Sequence, residues 1–243
     1  MTHEFDMVQS LAVGTESRSG AWQFIQGFVA NWAEPLGDDD GWTEADLVAA
    51  EKRLGVQLPR TLRDGYLLFG RRRDLTRNHD VLLSPPELHV DDSEEALVFR
   101  HENQSAASWG ILLEALGEED PAVFIRADLA DKAAEHWEGW LERLSLAFID
   151  IVLSEFLQAE DEYCDFLDVF DDQGIETLER VCTRLPFPAY PVGEAEPGIR
   201  WFLGDDVLVR DGGGMAVLAR GRTAEGINRI RDLVPGDWLN DPR

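Results

Sequence analysis

The stretch GWTEADLVAAEKRLGVQLPRTLRDGYLLFG, residues 41–70, carries the start and stop signals of two consecutive helices. Thr43 is a typical N-cap, because its hydroxyl can accept a hydrogen bond from a free N–H of the first turn, and Gly55 is a typical C-cap. Pro59 suits the first position of the second helix, and Gly70 ends it. The stretch therefore predicts two helices whose apolar residues face a common core.

Elements on both sides of this stretch predict an α+β fold. Apolar residues at helical spacing indicate further helices over residues 21–32 and 144–170, and Thr223 can cap a last helix. Short apolar runs between turn residues indicate strands at 97–99, 109–113, 123–125, 201–203, 207–209 and 215–219. We expect a mixed, mainly antiparallel sheet flanked by helices, with a C-terminal hairpin and helix. Residues 1–19 lack strong periodicity and are expected to form a flexible N-terminal arm or a marginal helix.

Net charge is the feature of the composition that bears most on function. The 243 residues include 48 acidic and 22 basic side chains, which gives a formal net charge of −26. Proteins that bind nucleic acids or anionic membranes neutralise phosphates with Lys and Arg, so this balance argues against both kinds of partner. It favours a basic protein partner, or a chain that only needs high solubility.

Three acidic clusters are candidate partner-binding sites. They lie at residues 38–40, at residues 91–95 and on the polar face of the helix predicted over 144–170. The candidate contact residues are Asp38, Asp39, Asp40, Asp91, Asp92, Glu94, Glu95, Glu160, Asp161, Asp165 and Asp168. For each cluster the simpler interpretation is a solvated surface.

The sequence carries no motif of a common enzyme class. It lacks GxSxG, GxxxxGK[ST], GxGxxG and HExxH, and its five histidines include no pair at i, i+4. We therefore expect no catalytic residues, no metal and no cofactor. Carboxylates are abundant enough that a hidden acid/base pair of the glycosidase type stays open as a minor alternative.

The chain is expected to be cytoplasmic. Its first residues are acidic where a secretory signal is basic, and no stretch approaches the ~20 apolar residues of a membrane span. The two cysteines, Cys164 and Cys182, form no CxxC pair, which favours a reducing compartment.

The chain resembles the SUKH superfamily, whose members include bacterial immunity proteins and a yeast cell-wall-synthesis regulator. The resemblance spans roughly residues 30–157, and Ala122 stands where members typically have Pro. The matching residues are Gly41-Trp42-Thr43, Glu51, Leu54-Gly55, Leu58-Pro59, Leu62-Arg63, Tyr66, Gly70, Pro86-Glu87-Leu88, Val98-Phe99, Glu102-Asn103-Gln104, Trp109-Gly110, Asp120-Pro121-Ala122-Val123, Leu144-Ser145 and Glu155-Phe156-Leu157. Trp201-Phe202-Leu203-Gly204-Asp205-Asp206 resembles the tail of actinobacterial-type members.

The resemblance implies a single SUKH-like domain over residues 20–243, with a core over about 30–157 and a C-terminal extension over 158–243. It also implies a non-catalytic binding role. Many bacterial members are thought to neutralise toxin domains, often nucleases, by direct binding. The alternative is a scaffold or regulator that binds an endogenous protein. The matching Gly, Pro, Trp and Leu positions shape the fold and name no partner.

Overall fold

The computed structural model of the chain describes residues 5–159, 161–168, 172–191 and 198–241. The helices in this part are α1 (Met7–Glu16), α2 (Arg18–Trp32), α3 (Glu44–Leu54), α4 (Arg60–Phe69), α5 (Arg73–Thr76), α6 (Leu144–Leu157), α7 (Asp172–Val181) and α8 (Ala224–Leu233). The strands are β1 (Val81–Leu82), β2 (His89–Val90), β3 (Ala96–His101), β4 (Ala107–Leu112), β5 (Val123–Ala127), β6 (Glu138–Leu141), β7 (Cys164–Leu167), β8 (Thr183–Arg184), β9 (Ile199–Gly204), β10 (Val207–Gly212) and β11 (Val217–Gly221).

The strands form two antiparallel sheets. The first has the order β1-β3-β4-β5-β6, with β2 also paired to β3, and the second has the order β7-β11-β10-β9-β8. Strands β3 to β6 follow one another as a meander, since their connections are too short for a crossover. The α+β class with mainly antiparallel pairing is therefore confirmed, and its strands are divided between two sheets.

Helix α6 lies at the centre of the fold. Each of its 14 residues is buried, and it packs on α2, α4 and α5 and against β6 and β11. Aromatic rings make the helix contacts: Phe148 meets Phe69 of α4 edge-on at 5.7 Å between centroids, and Phe156 meets Phe28 of α2 at 5.2 Å. In the described part of the chain, no helix combines the length and apolarity needed to cross a bilayer.

The helix pair over residues 41–70 forms as its caps predict. The Thr43 hydroxyl accepts from the N–H of Asp46, whose carboxylate accepts from the N–H of Thr43, so the two residues form a capping box. Gly55 ends α3 with φ of 73°, a left-handed conformation that glycine adopts without steric cost.

The N-terminal segment is helical, which is the second of the two alternatives predicted for it, and the flexible arm over residues 5–19 is corrected. Residues 7–16 form α1, which begins at the Asp6 cap and buries Met7 and Leu11 against α2. The sequence left the choice open because the apolar stripe of α1 is too narrow to show clear periodicity, while the packing surface that stabilises it belongs to α2. Residues 1–4 of the predicted arm lie outside the described residues.

The helix predicted over residues 144–170 is also wrong in its second half. Helix α6 ends at Leu157, and residues 164–167 form β7, which pairs with β11. Extending the helix would align many carboxylates on one face, and like charges three or four residues apart destabilise a helix. The strand instead satisfies its backbone on β11, and the guanidinium of Arg220 on that strand binds Asp161 at 2.5 Å.

The second sheet carries the predicted C-terminal hairpin and helix. Strands β9, β10 and β11 occupy three of the predicted positions, and the Thr223 hydroxyl caps α8 by accepting from the N–H of Gly226. One face of this sheet, with Trp201 and Leu208, joins the main core, while α7 and α8 cover the other. The C-terminal extension therefore shares its core with the rest of the chain.

Gly65 allows α4 to approach α6 closely, and a Gly65→Ala variant is expected to be less stable by roughly 1–3 kcal/mol. A methyl carbon there would lie within 2.7 Å of three ring carbons of Phe148. That ring is fully buried between Phe69 and Trp22 and has no room to move. The measurement is the free energy of unfolding in urea.

The matched control for this variant is Gly117→Ala, because Gly117 is exposed and no atom lies within 4 Å of the position its methyl carbon would take. Ala should leave stability unchanged or raise it slightly there. Equal stability of the two variants would contradict the packing argument.

Candidate partner-binding site

A short acidic loop, residues 91–95, connects β2 to β3. The two strands pair with the register His89↔Val98 and Val90↔Leu97, and the N–H of Asp91 donates to the carbonyl of Ala96, so the loop is the end of a hairpin. Glu94 adopts a φ of 54°. This left-handed conformation is uncommon for residues with a side chain and is kept only where the surroundings enforce it.

Asp91 is the buried anchor of this loop. Its Oδ1 accepts from the backbone N–H groups of Glu95 and Ala96, both at 2.8 Å, and its Oδ2 accepts from Arg126 at 2.7 Å. Burial raises the pKa of Asp91, but hydrogen bonds from Ser93 and from the two backbone N–H groups outweigh that effect and lower it to about 2. The carboxylate is therefore charged at neutral pH, and this charge interacts with Arg126 and the loop backbone inside the protein.

The carboxylates of Asp92, Glu94 and Glu95 are held outward by this anchor. All three residues are exposed, and within the described part of the chain none of them forms a salt bridge. Because Asp91 fixes the backbone beneath them, these charges sit on a rigid loop. A rigid acidic loop can present charge to a partner with little loss of conformational entropy on binding.

A groove of about 530 Å³ lies beside the loop. Its apolar surface comes from Leu112, Leu113 and Trp137, whereas its acidic residues are Glu94, Glu95 and Glu114. An apolar floor with acidic edges suits Lys and Arg side chains, whose aliphatic stems pack on apolar surface while their charged ends meet carboxylates. The arrangement can thus bind a basic segment of another protein.

A second groove, of about 540 Å³, lies on the other side of the loop and also includes Glu95. Here Lys132 binds Asp128 and Glu135, whereas Asp92 and Glu95 form no salt bridge among the described residues. The groove that contains Trp137 differs in that none of its three acids, Glu94, Glu95 and Glu114, forms a salt bridge with a described residue.

The cluster at residues 38–40 lies apart from this site. Asp38 and Asp39 are exposed, but Asp40 accepts from the N–H of Gly37 at 2.7 Å and from Arg72 at 3.0 Å. Burial raises the pKa of Asp40, and these contacts lower it below the usual value. Among the described residues, no hydrogen bond or ion pair joins this cluster to the 91–95 loop.

The third cluster, predicted on the polar face of a helix over residues 144–170, does not form such a face because α6 ends at Leu157. Asp165 is buried and binds Arg231 at 2.6 Å, so predicting it as a contact residue was wrong, as it was for Asp91. Asp161 binds Arg220, and Asp168 is exposed beyond β7. Glu160 lies outside the described residues. The physical reason is shared: a buried carboxylate is retained only with a partner inside the fold.

The sequence did not identify Trp137 or Glu114 as site residues. None of the candidate contact residues lies in residues 128–140, where the structure has a 3-10 turn followed by β6. Trp137 reaches the loop because β4, β5 and β6 pair in order, and its indole N–H donates to Asp91 at 3.3 Å. No local pattern encodes a contact that depends on three strand pairings.

Two carboxylates on α6 are buried and closed to a substrate. Asp150 and Glu155 lie close to one guanidinium, that of Arg100, but they are 1% and 0% exposed. Burial raises the pKa of Glu155, although Arg100 and the N–H of His79 lower it. A hydrolase of the glycosidase type needs its two carboxyl groups open to substrate.

Comparison of the chain with protein-family models, curated proteins and solved structures found no match. What the chain does must therefore be inferred from its own residues.

The stability advantage of the native chain over an Asp91→Asn variant should depend on pH. Because the folded-state pKa is depressed from 3.8 to about 2, the charged carboxylate stabilises the fold by roughly 2 kcal/mol above pH ~4. This contribution should disappear as the pH falls toward about 2. Urea unfolding of both proteins at several pH values measures it.

An Asp92→Asn variant is the control, because that carboxylate is exposed and forms no salt bridge in the described part of the chain. A stability difference between native and Asp91→Asn protein that stays constant from pH 2 to pH 6 would contradict the anchoring role.

Proposed function

We propose that this chain is a non-catalytic, acidic binding protein that acts as an immunity protein. In this role it neutralises a basic toxin domain, such as a nuclease, by direct contact through the 91–95 loop. The single observation that supports the proposal is an anchored loop beside an apolar groove. Its exposed carboxylates, at Asp92, Glu94 and Glu95, form no salt bridge within the described part of the chain.

The chemistry of a nuclease suits this surface. Such an enzyme presents Lys and Arg to phosphates, so a row of carboxylates can occupy the same groove. Opposite charges accelerate encounter by roughly 10–10³ at low ionic strength. Trp137 adds a large, half-buried ring beside the charges, and aromatic rings are enriched among the residues that dominate binding energy.

The arginines that bind buried carboxylates bear on the charge of the 91–95 loop. Arg100, Arg126 and Arg231 each bind carboxylates that are buried in the fold. These basic groups cannot also neutralise the exposed loop. The outward field at the loop therefore stays negative, which favours a cationic partner.

A cytoplasmic location is part of the proposal. Cys164 and Cys182 are free and buried, and burial raises the pKa of these thiols to about 12 and about 11. Thiols of this kind react slowly with disulfides and suit a reducing compartment.

The proposal is tested with the toxin domain encoded by a neighbouring gene as the binding partner. A Glu94→Lys/Glu95→Lys double variant should bind this domain at least tenfold more weakly than the native chain, because two attractive charges become repulsive. Titration calorimetry at low and high salt measures the affinity, and the native complex should weaken as salt rises.

An Asp38→Lys/Asp39→Lys double variant is matched in charge and is the control, since these exposed residues lie in the separate 38–40 cluster. It should keep native affinity at high salt. Absence of a complex at low salt, or an equal loss in both variants, would contradict the proposal. Binding to an endogenous protein in place of a toxin domain would support a scaffold or regulator.

A further inference from the structure

A histidine and two carboxylates from separate segments meet at one edge of the first sheet. His79 and Asp80 precede β1, Glu102 follows β3, and the pairing of these strands places the two segments side by side. One imidazole nitrogen and one oxygen from each carboxylate lie within 4.8 Å of one another. A zinc-type ion, with bonds of about 2.0–2.2 Å, holds its donor atoms roughly 3.4 Å apart. Small rotations of the three side chains would bring their donor atoms to this spacing.

Asp80 supplies a second, independent indication of a ligand. The residue is 9% exposed, and its Oδ2 accepts from Arg100 at 2.9 Å. Its Oδ1 is buried and, among the described residues, has no hydrogen-bond partner. A buried carboxylate oxygen without a partner is costly, and native proteins almost always satisfy such an atom. A cation bound at this position would satisfy it.

The charges behind Asp80 favour a cation at the same place. The guanidinium of Arg100 is shared by three buried carboxylates, those of Asp80 at 2.9 Å, Asp150 at 3.5 Å and Glu155 at 2.9 Å. Arg210 is a second cation that acts on Asp150 and Asp80, so the three carboxylates share two guanidinium groups. Uncompensated buried charge destabilises a fold, and a bound dication at the open edge would offset it.

We propose that His79, Asp80 and Glu102 bind a transition-metal dication of the zinc class. The imidazole selects such an ion over Mg²⁺ and Ca²⁺, which prefer oxygen ligands alone. Oε2 of Glu102 already accepts from two backbone N–H groups, so this carboxylate is held in place with its other oxygen available. His79 and Glu102 are half-buried, which leaves water room to complete a four-coordinate site.

Asn103 is placed to support the histidine ligand. Its side-chain nitrogen lies 3.0 Å from Nδ1 and 3.2 Å from Nε2 of His79. Because this atom lies near both ring nitrogens, the amide would have to move away from the nitrogen that binds the ion before its oxygen could accept from the other. Metal-bound histidines usually donate that N–H to a neighbouring oxygen, which fixes the ring.

The test uses the tag-free full chain and Zn²⁺ alone as the probe. Equilibrium dialysis followed by elemental analysis should find about one Zn²⁺ per native chain, and a tenfold excess of Mg²⁺ should not displace it. His79→Ala and Glu102→Gln should each weaken Zn²⁺ binding at least tenfold, because each removes or neutralises one of three ligands. Circular dichroism of both variants checks that they fold.

His136→Ala is the matched control, because His136 and Glu138 form an exposed imidazole–carboxylate pair at 2.9 Å elsewhere on the chain. It should bind Zn²⁺ as the native chain does. Substitution with Co²⁺ gives a second readout, since a four-coordinate site produces visible absorption bands that His79→Ala should lose. Folded variants that bind as well as the native chain, or a native chain that takes up no Zn²⁺, would overturn the proposal. Because toxin binding is measured separately, either proposal can fail without the other.

Discussion

Two carboxylates on a fully buried helix are the constraint on which the rest of this fold depends. Asp150 and Glu155 lie on α6 and are buried with it. A buried carboxylate without a partner destabilises a fold, so both need partners inside the protein. Arg100 of β3 binds both, which ties α6 to the first sheet. The hydroxyl of Tyr190 donates to Asp150 at 2.5 Å and accepts from the indole N–H of Trp201 at 2.9 Å, which ties the same helix to the second sheet. These polar contacts therefore fix how α6 and the two sheets are placed against one another, which apolar packing alone would specify less strictly.

That arrangement also determines where the candidate surfaces lie. Arg100 of β3 binds α6, and the same strand, beyond a bulge between Val98 and Arg100, pairs with β2 in the hairpin that ends in residues 91–95. The other end of β3 delivers Glu102 beside His79 and Asp80. One strand thus connects the acidic loop at its start with the candidate metal site at its end. The two surfaces are separate in chemistry but share the same rigid support.

The sequence predicted what short-range physics controls and missed what depends on distant pairing. Thr43 and Gly55 could be recognised as caps because their hydrogen bonds and dihedral angles involve neighbouring residues only. The strand at residues 164–167 could not, since it forms on β11, more than fifty residues later in the chain. At the candidate site, charge alone identified Glu94 and Glu95. The same criterion failed for Asp91 and Asp165, because composition does not reveal which carboxylates have arginine partners.

The interior of this fold uses arginine and carboxylate side chains in pairs, which leaves the net charge of the exterior unchanged. Buried carboxylates at three separate places are each held by an arginine: Asp91 by Arg126, Asp165 by Arg231 and Asp211 by Arg200. The sequence contains only two lysines, and the planar arginine fork suits such buried pairs better than a lysine ammonium does. Each such pair removes one cation and one carboxylate from the surface, so the exterior keeps the acidic excess of the sequence. That excess also serves solubility, so net charge alone does not identify a partner surface. What carries weight is that the 91–95 loop is anchored by Asp91, lies beside an apolar groove and carries exposed carboxylates with no salt bridge among the described residues. Solubility alone requires none of those three properties.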